Sequence, residues 1–552
     1  RVSYSFYGIM IDKKDKKFYC LASERNEKPS VFHFRASDGN KGSIPRDLAH
    51  DVRVVASSDN TSGATTRKLY ITTAIPYVND RPHLGHALEF VQADVLARAA
   101  RARGRDVRVL SGADENALKN VQAAEKAGIA VRDFIEANAK LFADLAERLG
   151  VHFDVFQRGS DIARHYPSSQ ELWRRCDAAG DIYKKSYEGL YCVGCEAFYM
   201  SEELTSDGEC REHPGRKLEM VSEENWFFRL SRYRDRLIDL ISSGALQIIP
   251  ASRKNEMLGF LRQPLEDISI SRSNERARNW GVPVPDDDTQ RMYVWFDALN
   301  IYQSGIGFGW DEAQYKKWWP ADMHLIGKGI LRFHAIYWPA FLLSAGLPLP
   351  KSIAVHGYLT VDGQKMSKTI GNVIDPFSLM EKYGTDPVRY YLLREIPSGE
   401  DGDFSYEKFE NRYNGDLANG LGNLVARVST LGEPVSPIPA HTDEKIAKEI
   451  ARVRAVCKER IEEFRLNEAL GSIWELIGIA DKYINDEKPW ALKANDAALG
   501  RVIGNAAMII GAITELIAPF LPETAEKIRE QISISDNTIT IKKGANLFPR
   551  IP

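Results

Sequence analysis

The chain has 552 residues, enough for several domains that each bury a core of their own. Its 76 acidic and 73 basic side chains leave a formal net charge of −3, so any nucleic-acid surface must be a local patch. Six cysteines spread thinly over this length argue against a secreted protein held by disulfides. The most apolar stretch, residues 502–518, carries Asn505 and Glu515, which predicts a bundle core helix and no membrane span.

Residues 1–68 carry no recognisable chemistry. Alternating side chains predict strands at Lys17–Ala22 and Ser30–Phe34, and residues 57–66 form a polar linker rich in Gly, Ser and Thr. For this segment a small appended β domain, a targeting remnant and a mostly disordered leader all stay open.

Residues 69–180 alternate between strand and helix patterns, which predicts a doubly wound parallel sheet of the α/β class. The first strand, Leu69–Ala74, is apolar and β-branched, and helical spacing follows from Leu84. His83 and His86 lie at the N-terminus of that helix, and Gly85 leaves its first turn bare. Imidazoles at a helix N-terminus suit an anionic phosphate, whereas a pair of ordinary surface histidines is the alternative.

The second strand, Asp106–Leu110, runs into an acidic loop at the edge where doubly wound sheets bind ligands. Asp114 in this loop is placed to hold an amino group, although such a residue is more often a helix cap. Neither a Walker P-loop nor a dinucleotide-binding glycine fingerprint follows a strand, so any nucleotide would have to be bound by other elements.

The segment from about residue 181 to 267 contains two Cys-x2-ligand knuckles. Cys192 and Cys195 form the first, and Cys210 and His213 form the second. Three thiolates and one imidazole at this separation can close a tetrahedral Zn²⁺ site, and four protein ligands imply a structural metal. Free thiols or a disulfide are the alternative.

The chain then returns to the sheet. Residues 291–298 predict a strand, and residues 324–338 predict a strand end that runs into a helix. Phe333 and His334 share a helical face with Trp338. Aromatic residues at this spacing are usually core, but an apolar aromatic slot would also separate a thioether from polar amino acids.

A second basic motif lies between residues 365 and 369. A predicted buried strand over residues 355–361 leads through the turn Asp362-Gly363 into a mobile loop with Lys365, Ser367 and Lys368. Lysines suit a triphosphate whose position changes during a reaction, although two lysines in a polar loop are more often a solvated surface.

From residue 409 to 532 apolar side chains recur at helical spacing, which predicts a helix bundle. Asn423 and Arg427 are four residues apart on one helical face, and Trp490 stands at a helix start. An amide, a guanidinium and an aromatic face are the groups that read unstacked RNA bases, although such a trio in a long bundle is more often structural. A short strand over residues 537–542 is predicted in the tail.

Residues 83–86 (HLGH) and 365–368 (KMSK) resemble the HIGH and KMSKS signatures of class I aminoacyl-tRNA synthetases. Their surroundings, residues 74–79 and 371–376, resemble the methionyl-tRNA synthetase family, and the likeness extends from Leu69 to Ile551. It implies ATP-dependent activation of L-methionine to methionyl-adenylate, with Mg²⁺, and transfer to tRNA(Met), the initiator tRNA included. The expected protein is a monomer of the cytoplasm, with an organellar matrix as the alternative.

The resemblance also implies roles for individual residues. His83, His86, Lys365 and Lys368 correspond to the catalytic residues, and the ATP site adds Gly85, His356, Gly357 and Ser367. The methionine site corresponds to Ile75, Tyr77, Asp114, Trp295, Ala298, Leu299, Tyr302, Phe333, His334 and Trp338. The polar ends of Tyr302 and His334 are expected to hydrogen-bond to the sulfur. The readers of the CAU anticodon correspond to Asn423, Arg427 and Trp490.

Two positions depart from the family pattern. The family's Asp-Glu-His-Gly reads Asp114-Glu115-Asn116-Ala117 here, and its Gly-Lys-Asp-Ile reads Gly327-Lys328-Gly329-Ile330, which removes a carboxylate near the reacting groups. A tRNA-binding protein that has lost catalysis is therefore one alternative. A class I synthetase for another apolar amino acid is the second, although residues 181–267 are too few for the editing domain of such relatives.

The predicted division of the chain has seven parts. They are an unassigned extension (1–68), the first half of a Rossmann-like catalytic domain (69–180), the zinc-knuckle insertion (181–267), the second catalytic half (268–356), the KMSKT loop with a stem-contact segment (357–408), a helical anticodon-binding domain (409–532) and a tail (533–552).

Overall fold

The computed structural model of the chain falls into two compact units, Arg1–Thr65 and Thr66–Pro552. It describes residues 4–12, 17–24, 30–35, 68–192, 197–199, 203–211, 215, 218–366, 371–493, 497–535 and 537–551, and Lys365 by its backbone alone. In the first unit the strands Tyr4–Asp12, Lys17–Glu24 and Ser30–Arg35 form one antiparallel sheet. Both strands predicted in this region are confirmed, and a small β domain is the alternative that they fit.

A six-stranded sheet organises the second unit, and every neighbouring pair in it is parallel. Its strands in spatial order are Gln247–Ile249, Ser352–His356, Met323–Gly327, Leu69–Thr73, Val107–Ala113 and Val155–Arg158. The helices that follow its strands include Leu84–Arg101, Leu118–Ala127, Val131–Arg148, His165–Ala178 and Trp338–Ser344. The predicted doubly wound α/β fold is confirmed. Residues 247–249, assigned to the insertion from sequence, form an edge strand of this sheet.

The inserted region has an antiparallel sheet of its own. Its strands are Ile182–Cys192, Ala197–Tyr199, Glu219–Phe228 and Ile268–Ser269. The helices Arg234–Ser243 and Ala251–Leu261 follow, with a 3-10 turn at Leu230–Tyr233. A further small sheet contains Ser271–Ser273, Pro283–Val284 and Asp287–Met292.

One predicted strand is wrong over most of its length. The strand Asp287–Met292 ends three residues before Trp295, and residues 294–299 form a helix instead. Antiparallel pairing with Ser271–Ser273 ends at Met292, and the Tyr293 N–H donates to the carbonyl of Ile270. Short runs of apolar aromatic residues fit a strand or a buried helix equally well, so the pattern alone could not decide. Short helices follow at Ile301–Ser304 and Glu312–Trp318.

The predicted strand over residues 355–361 is two strands. Ser352–His356 belongs to the central sheet, whereas Leu359–Val361 pairs with Gln364–Lys365 and Gly402–Phe404. A Cβ on Gly357 would lie 2.1 Å from the carbonyl oxygen of Glu400, so the break needs a glycine. Asp362 and Gly363 form the predicted turn, both with positive φ.

The C-terminal half is helical, as predicted. Its helices are Pro376–Tyr383, Thr385–Arg394, Tyr406–Arg412, Asn423–Gly432, Glu444–Glu462, Leu466–Glu487, Ala497–Ile517 and Pro522–Gln531, and the π-helical segment is Tyr413–Gly422. The strands Ile438–Pro439, Ile532–Ser535 and Thr538–Ile541 close it. Ala497–Ile517 is long and apolar enough to span a bilayer, but most of it is buried against the protein, as a bundle core helix would be.

A fully buried guanidinium joins the region of the parallel sheet to the last helices of the C-terminal bundle. Arg389 donates to the Asp94 carboxylate (2.7 Å), to the carbonyls of Pro519 and Phe520 (3.0 and 2.8 Å), and to that of Leu149 (2.9 Å). Asp94 lies on the helix Leu84–Arg101, which begins at the two histidines. Because the ion pair is buried, removing one partner would leave the other charge without solvent.

We expect R389M to lower the free energy of unfolding by about 3 kcal/mol, because it leaves the buried Asp94 carboxylate with Arg98 as its remaining cation and deprives three carbonyls of their donor. The measurement is the urea midpoint. R389M/D94N should recover part of the loss. As a control, R529A removes an exposed ion pair with Glu526 and should change stability by about 0.5 kcal/mol or less. Equal shifts for R389M and R529A would contradict a linking role for Arg389.

Candidate active site

The two histidines cap the helix that leaves the first strand of the central sheet. His83 is the N-cap of Leu84–Arg101, its Nδ1 accepts from the Gly85 N–H (3.1 Å), and its own N–H donates to His86 Nδ1 (3.1 Å). The rings stack at 3.9 Å between centroids. Because a backbone N–H can only donate, both Nδ1 atoms are unprotonated, and each neutral ring carries its proton on Nε2. The N–H that remains on each ring is thus available to a bound anion.

Both histidines are neutral in the free protein. Burial lowers the pKa of His83 to about 4, and the pKa of His86 is lowered by burial and by the nearby His83 and His356. They therefore stabilise an anion first as hydrogen-bond donors and not as cations. An approaching triphosphate would raise their pKa values, because a nearby negative charge favours the charged ring.

The second signature lies close to the first. A Cβ on Gly85 would lie 3.0 Å from His83 Cε1 and 3.9 Å from the methyl carbon of Met366, so the glycine gives the loop close access to the helix start. Lys365 ends the short strand Gln364–Lys365. Ser367, Lys368 and the side chain of Lys365 lie outside the described part of the chain.

His356 links the sheet edge to the histidine helix. Its Nε2 lies 2.9 Å from Glu89 Oε2, and its Nδ1 lies 2.8 Å from the Gly357 carbonyl oxygen. Glu89 lies on the helix that His83 caps, so the last residue of the strand Ser352–His356 is fixed against the first helix. No local pattern points to Glu89, because its partner His356 is 267 residues away along the chain.

The predicted methionine residues meet in one apolar cluster. Those that belong to it or pack against it are Ile75, Tyr77, Trp295, Ala298, Leu299, Tyr302, Phe333 and Trp338. Trp295 stacks flat on Phe333 with 3.8 Å between ring centroids, and Tyr77 meets the Trp295 ring edge-on. Asp114 is buried and directly follows the strand Val107–Ala113. Its backbone forms an isolated parallel β-bridge with Tyr77. The arrangement is an aromatic slot with a carboxylate beside it.

A π-helical turn, Phe333–Tyr337, presents two of these residues. His334 Nδ1 lies 2.9 Å from the Ile330 carbonyl oxygen, and His334 Nε2 lies 2.7 Å from the Tyr302 hydroxyl. The carbonyl can only accept, so Nδ1 carries the proton of the neutral ring, and the Tyr302 hydroxyl donates to Nε2. The Nδ1–H group of His334 and the hydroxyl of Tyr302 therefore both donate to acceptors within the pocket. The hydrogen bonds from Tyr302 and His334 to the sulfur stay a prediction, and they would require these contacts to rearrange when methionine binds.

His324 is a pocket residue that the sequence analysis missed. The Trp338 indole N–H donates to His324 Nε2 (3.3 Å), so the proton of His324 is on Nδ1 and faces the Thr72 hydroxyl (2.6 Å). The His324 ring lies 4.5 Å from the Tyr302 ring, centroid to centroid. The sequence places His324 within a strand of the buried sheet, and a buried imidazole there needs a hydrogen-bond partner. That position was the signal that could have identified it.

Asn116 is the first departure from the family pattern, and its side-chain amide nitrogen donates two hydrogen bonds. Its Nδ2 donates to Asp297 Oδ2 (2.5 Å) and to the Gly159 carbonyl (2.8 Å). Asp297 lies on the helix of Trp295, so the amide ties the acidic loop to the aromatic slot. The structural place of the family's histidine is thus occupied by a polar group that supports the pocket.

The three predicted anticodon residues share one surface of the helical domain. Arg427 lies on the helix that begins at Asn423, its guanidinium carbon is 5.7 Å from the centre of the Trp490 ring, and it donates to Asn485 (2.8 Å). Trp490 is 54% exposed and lines a cavity of ≈ 380 Å³ beside Arg427. An exposed indole next to a guanidinium is a platform on which a base can stack.

The predicted zinc ligands are described only in part. Cys192 and Cys210 are buried, whereas Cys195 and His213 lie outside the described residues. No group of three or more His, Cys, Asp or Glu side chains suited to a metal occurs within the described ranges, which hold two of the four predicted ligands.

Comparison with known proteins agrees with this geometry. A family model described as tRNA synthetases class I (M) matches residues 69–429, and one described as the anticodon-binding domain of tRNA ligase matches residues 443–544. A methionine--tRNA ligase of Brucella suis biovar 1 is 42% identical over 477 residues, which are 85% of this chain and 92% of that protein. A methionine--tRNA ligase of Thermotoga maritima is 43% identical over 480 residues, 85% of this chain and 76% of that protein.

Solved structures give the same result. The Mycobacterium tuberculosis methionyl-tRNA synthetase in complex with methionyl-adenylate superposes with a TM-score of 0.83 and 37% identity, covering 88% of this chain and 100% of that one. The apo form of that enzyme superposes with a TM-score of 0.76 and 34% identity, covering 88% and 99%.

The buried histidine of the slot makes stability depend on pH. Burial lowers the pKa of His334 to about 4, against 6.5 in the unfolded chain, so the unfolded state binds a proton first as the pH falls. The stabilisation is complete above pH 6.5 and is lost as the pH falls towards 4. We expect H334Q to weaken the loss of stability between pH 7 and 4.5 by about 2 kcal/mol, measured by urea unfolding at each pH.

H441Q, which removes an exposed imidazole, is the matched control for that experiment. Identical pH dependences for H334Q and the unmodified protein would contradict a buried neutral His334.

Proposed function

The chain belongs to the class I methionyl-tRNA synthetases, and we propose how its residues divide the reaction among them. It activates methionine with ATP and transfers the methionyl group to tRNA. One observation supports this assignment of roles. The capped histidine pair, the aromatic slot and the start of the KMSK loop lie at the same edge of the central sheet. The alternatives of a binding protein without catalysis and of another apolar amino acid have no comparable support.

In the first step the carboxylate of methionine attacks the α-phosphorus of ATP, and the bond to pyrophosphate breaks. No side chain acts as a nucleophile. We propose that the Nε2–H groups of His83 and His86 donate to the α-phosphate oxygens as negative charge grows on them. Lys365 and Lys368 would hold the departing pyrophosphate, with Ser367, Gly85, His356 and Gly357 completing the nucleotide site. Mg²⁺ bound to ATP would supply further positive charge to the phosphates.

Methionine would lie in the aromatic slot. The stacked Trp295 and Phe333 offer the thioether a dispersion surface, which suits a polarisable sulfur. Asp114 would pair with the ammonium group. The neutral Tyr302–His334 pair supplies a fixed wall rather than a proton donor, so selection against polar amino acids rests on the cost of leaving their groups unpaired there.

We expect methionine-dependent exchange of labelled pyrophosphate into ATP, with Leu, Ile, Val and Cys inactive. H86A should lower this exchange by a factor of ~100, because it removes a donor to the developing charge. H441A, an exposed histidine in the helical domain, is the control. If no amino acid supports exchange in folded protein, the assignment of catalysis to this site is wrong.

In the second step the terminal ribose hydroxyl of tRNA(Met) attacks the acyl carbon and AMP leaves. We propose that Asn423, Arg427 and Trp490 read the CAU anticodon by hydrogen bonds and stacking, for initiator and elongator tRNA alike.

W490A should raise the KM for tRNA in aminoacylation by about tenfold or more, because stacking of one base is worth ~1–3 kcal/mol. Pyrophosphate exchange, which needs no tRNA, should keep its rate. W310A removes another partly exposed indole and is the control. Equal effects of the two variants on the KM for tRNA would exclude Trp490 as a base reader.

We further propose one structural Zn²⁺ on Cys192, Cys195, Cys210 and His213. The donor set fits: three thiolates and an imidazole complete a tetrahedral shell and leave no position for a substrate. The burial of Cys192 and Cys210 suits this role. Metal analysis should find one zinc per chain, lost in C192S and kept in C457S, which changes a buried cysteine of the helical domain. Less than half a zinc per chain would count against the site.

The remaining expectations are proposals of the same kind. We propose a monomer that acts in the cytoplasm, with an organellar matrix as the alternative, and without a membrane. The division at residues 180, 267, 356, 408 and 532 is likewise proposed. Sedimentation of the pure protein tests directly whether it is a monomer.

A further inference from the structure

A short helix carries three residues of the methionine slot. Val294–Leu299 contains Trp295, Ala298 and Leu299, and all of its residues are buried. It is shorter than two helical turns, and a helix of that length has little stability of its own. The position of these slot residues therefore depends on the contacts that hold the helix against its neighbours.

One of these contacts joins the helix to the acidic loop. Asp297 lies on the helix and is 1% exposed, and its Oδ2 accepts from Asn116 Nδ2 (2.5 Å). The same amide nitrogen donates to the Gly159 carbonyl (2.8 Å). The strands that precede Asn116 and Gly159 are neighbours in the central sheet. The Asp297 carboxylate thus joins the slot helix to the carboxyl ends of two adjacent strands.

The helix that begins at His165 contributes further buried polar contacts. His165 Nε2 lies 3.6 Å from the same Asp297 oxygen, and His165 Nδ1 lies 2.9 Å from Ser304 Oγ. Asn300 directly follows the slot helix and donates to Ser168 Oγ (2.9 Å). All of these side chains are buried, so their polar groups need partners within the protein. Contacts from the acidic loop and from a second helix therefore meet at the Asp297 carboxylate.

The same contacts relate the two ends of the methionine site. Asn116 lies two residues beyond Asp114 in the acidic loop. Asp297 lies two residues beyond Trp295 on the slot helix. The hydrogen bond between Asn116 and Asp297 therefore fixes the spacing between a carboxylate and an aromatic surface.

We propose that Asp297 is a positioning residue that determines which length of amino-acid side chain the slot accepts. The proposal rests on the function assigned above, in which Asp114 pairs with the ammonium group and Trp295 contacts the thioether. Asp297 acts through the slot helix and not by contact with the substrate. While its hydrogen bond holds the spacing, a side chain one methylene longer than that of methionine cannot satisfy both binding groups at once.

The test is pyrophosphate exchange with methionine and with ethionine, its S-ethyl homologue, and with KM for ATP measured separately. D297A and N116A remove the two partners of the hydrogen bond. Each should lower the ratio of kcat/KM for methionine to that for ethionine by about tenfold, chiefly through a higher KM for methionine. KM for ATP should stay unchanged. The double variant should lose little more than either single variant, because both remove one interaction.

A conservative variant and a matched control separate spacing from general loss of structure. D297N keeps an oxygen that can accept from Asn116, so it should recover most of the selectivity. N505A removes a buried amide of the helical bundle that donates to Asp443 (2.8 Å) and Tyr483 (3.0 Å). It should leave the methionine-to-ethionine ratio unchanged. Thermal midpoints establish that each variant is folded, and N116A decides the test if D297A does not fold.

An unchanged ratio in N116A would overturn the proposal. So would an equal fall in kcat/KM for both amino acids, or a change of the same size in N505A, because those results indicate a general structural role. Absence of exchange with methionine in the unmodified protein would instead overturn the proposed function.

Discussion

The buried guanidinium of Arg389 is the interaction on which the arrangement of the two large domains depends. Without exposure to water, its donors must be met by the protein, and they are met by Asp94, by Leu149 and by two carbonyls between the last bundle helices. Asp94 stands on the helix that His83 caps. The helix of the histidine pair and the last helices of the bundle are therefore joined through the same buried charge.

Within the site, hydrogen bonds determine which ring nitrogen of each histidine carries the proton. Backbone N–H groups occupy Nδ1 of His83 and His86, and a carbonyl and a hydroxyl fix the proton of His334. All three rings have lowered pKa values, chiefly because they are buried. The free site is thus nearly neutral on its histidine side. Under the proposed function, the charge that the reaction requires would come from Lys365 and Lys368 and from the metal that accompanies ATP.

The two departures from the family pattern differ in consequence. Asn116 supports the pocket, because its side-chain amide donates a hydrogen bond to Asp297. At Gly329, a Cβ would lie 2.1 Å from the hydroxyl oxygen of Tyr358, so a larger residue here would need the tyrosine side chain to move.

The sequence by itself determined the α/β sheet, the helix beginning at the histidines and the bundle, because periodicity and caps are local. The members of the aromatic slot came from the family resemblance. It failed where local patterns are ambiguous: Trp295 and Ala298 lie on a helix and not a strand, since strand pairing ends at Met292. Only the tertiary structure decided the contacts of Glu89 with His356, of Asp94 with Arg389 and of Gly329 with Tyr358. Those partners depend on strand register and on domain packing, which no short stretch of sequence encodes.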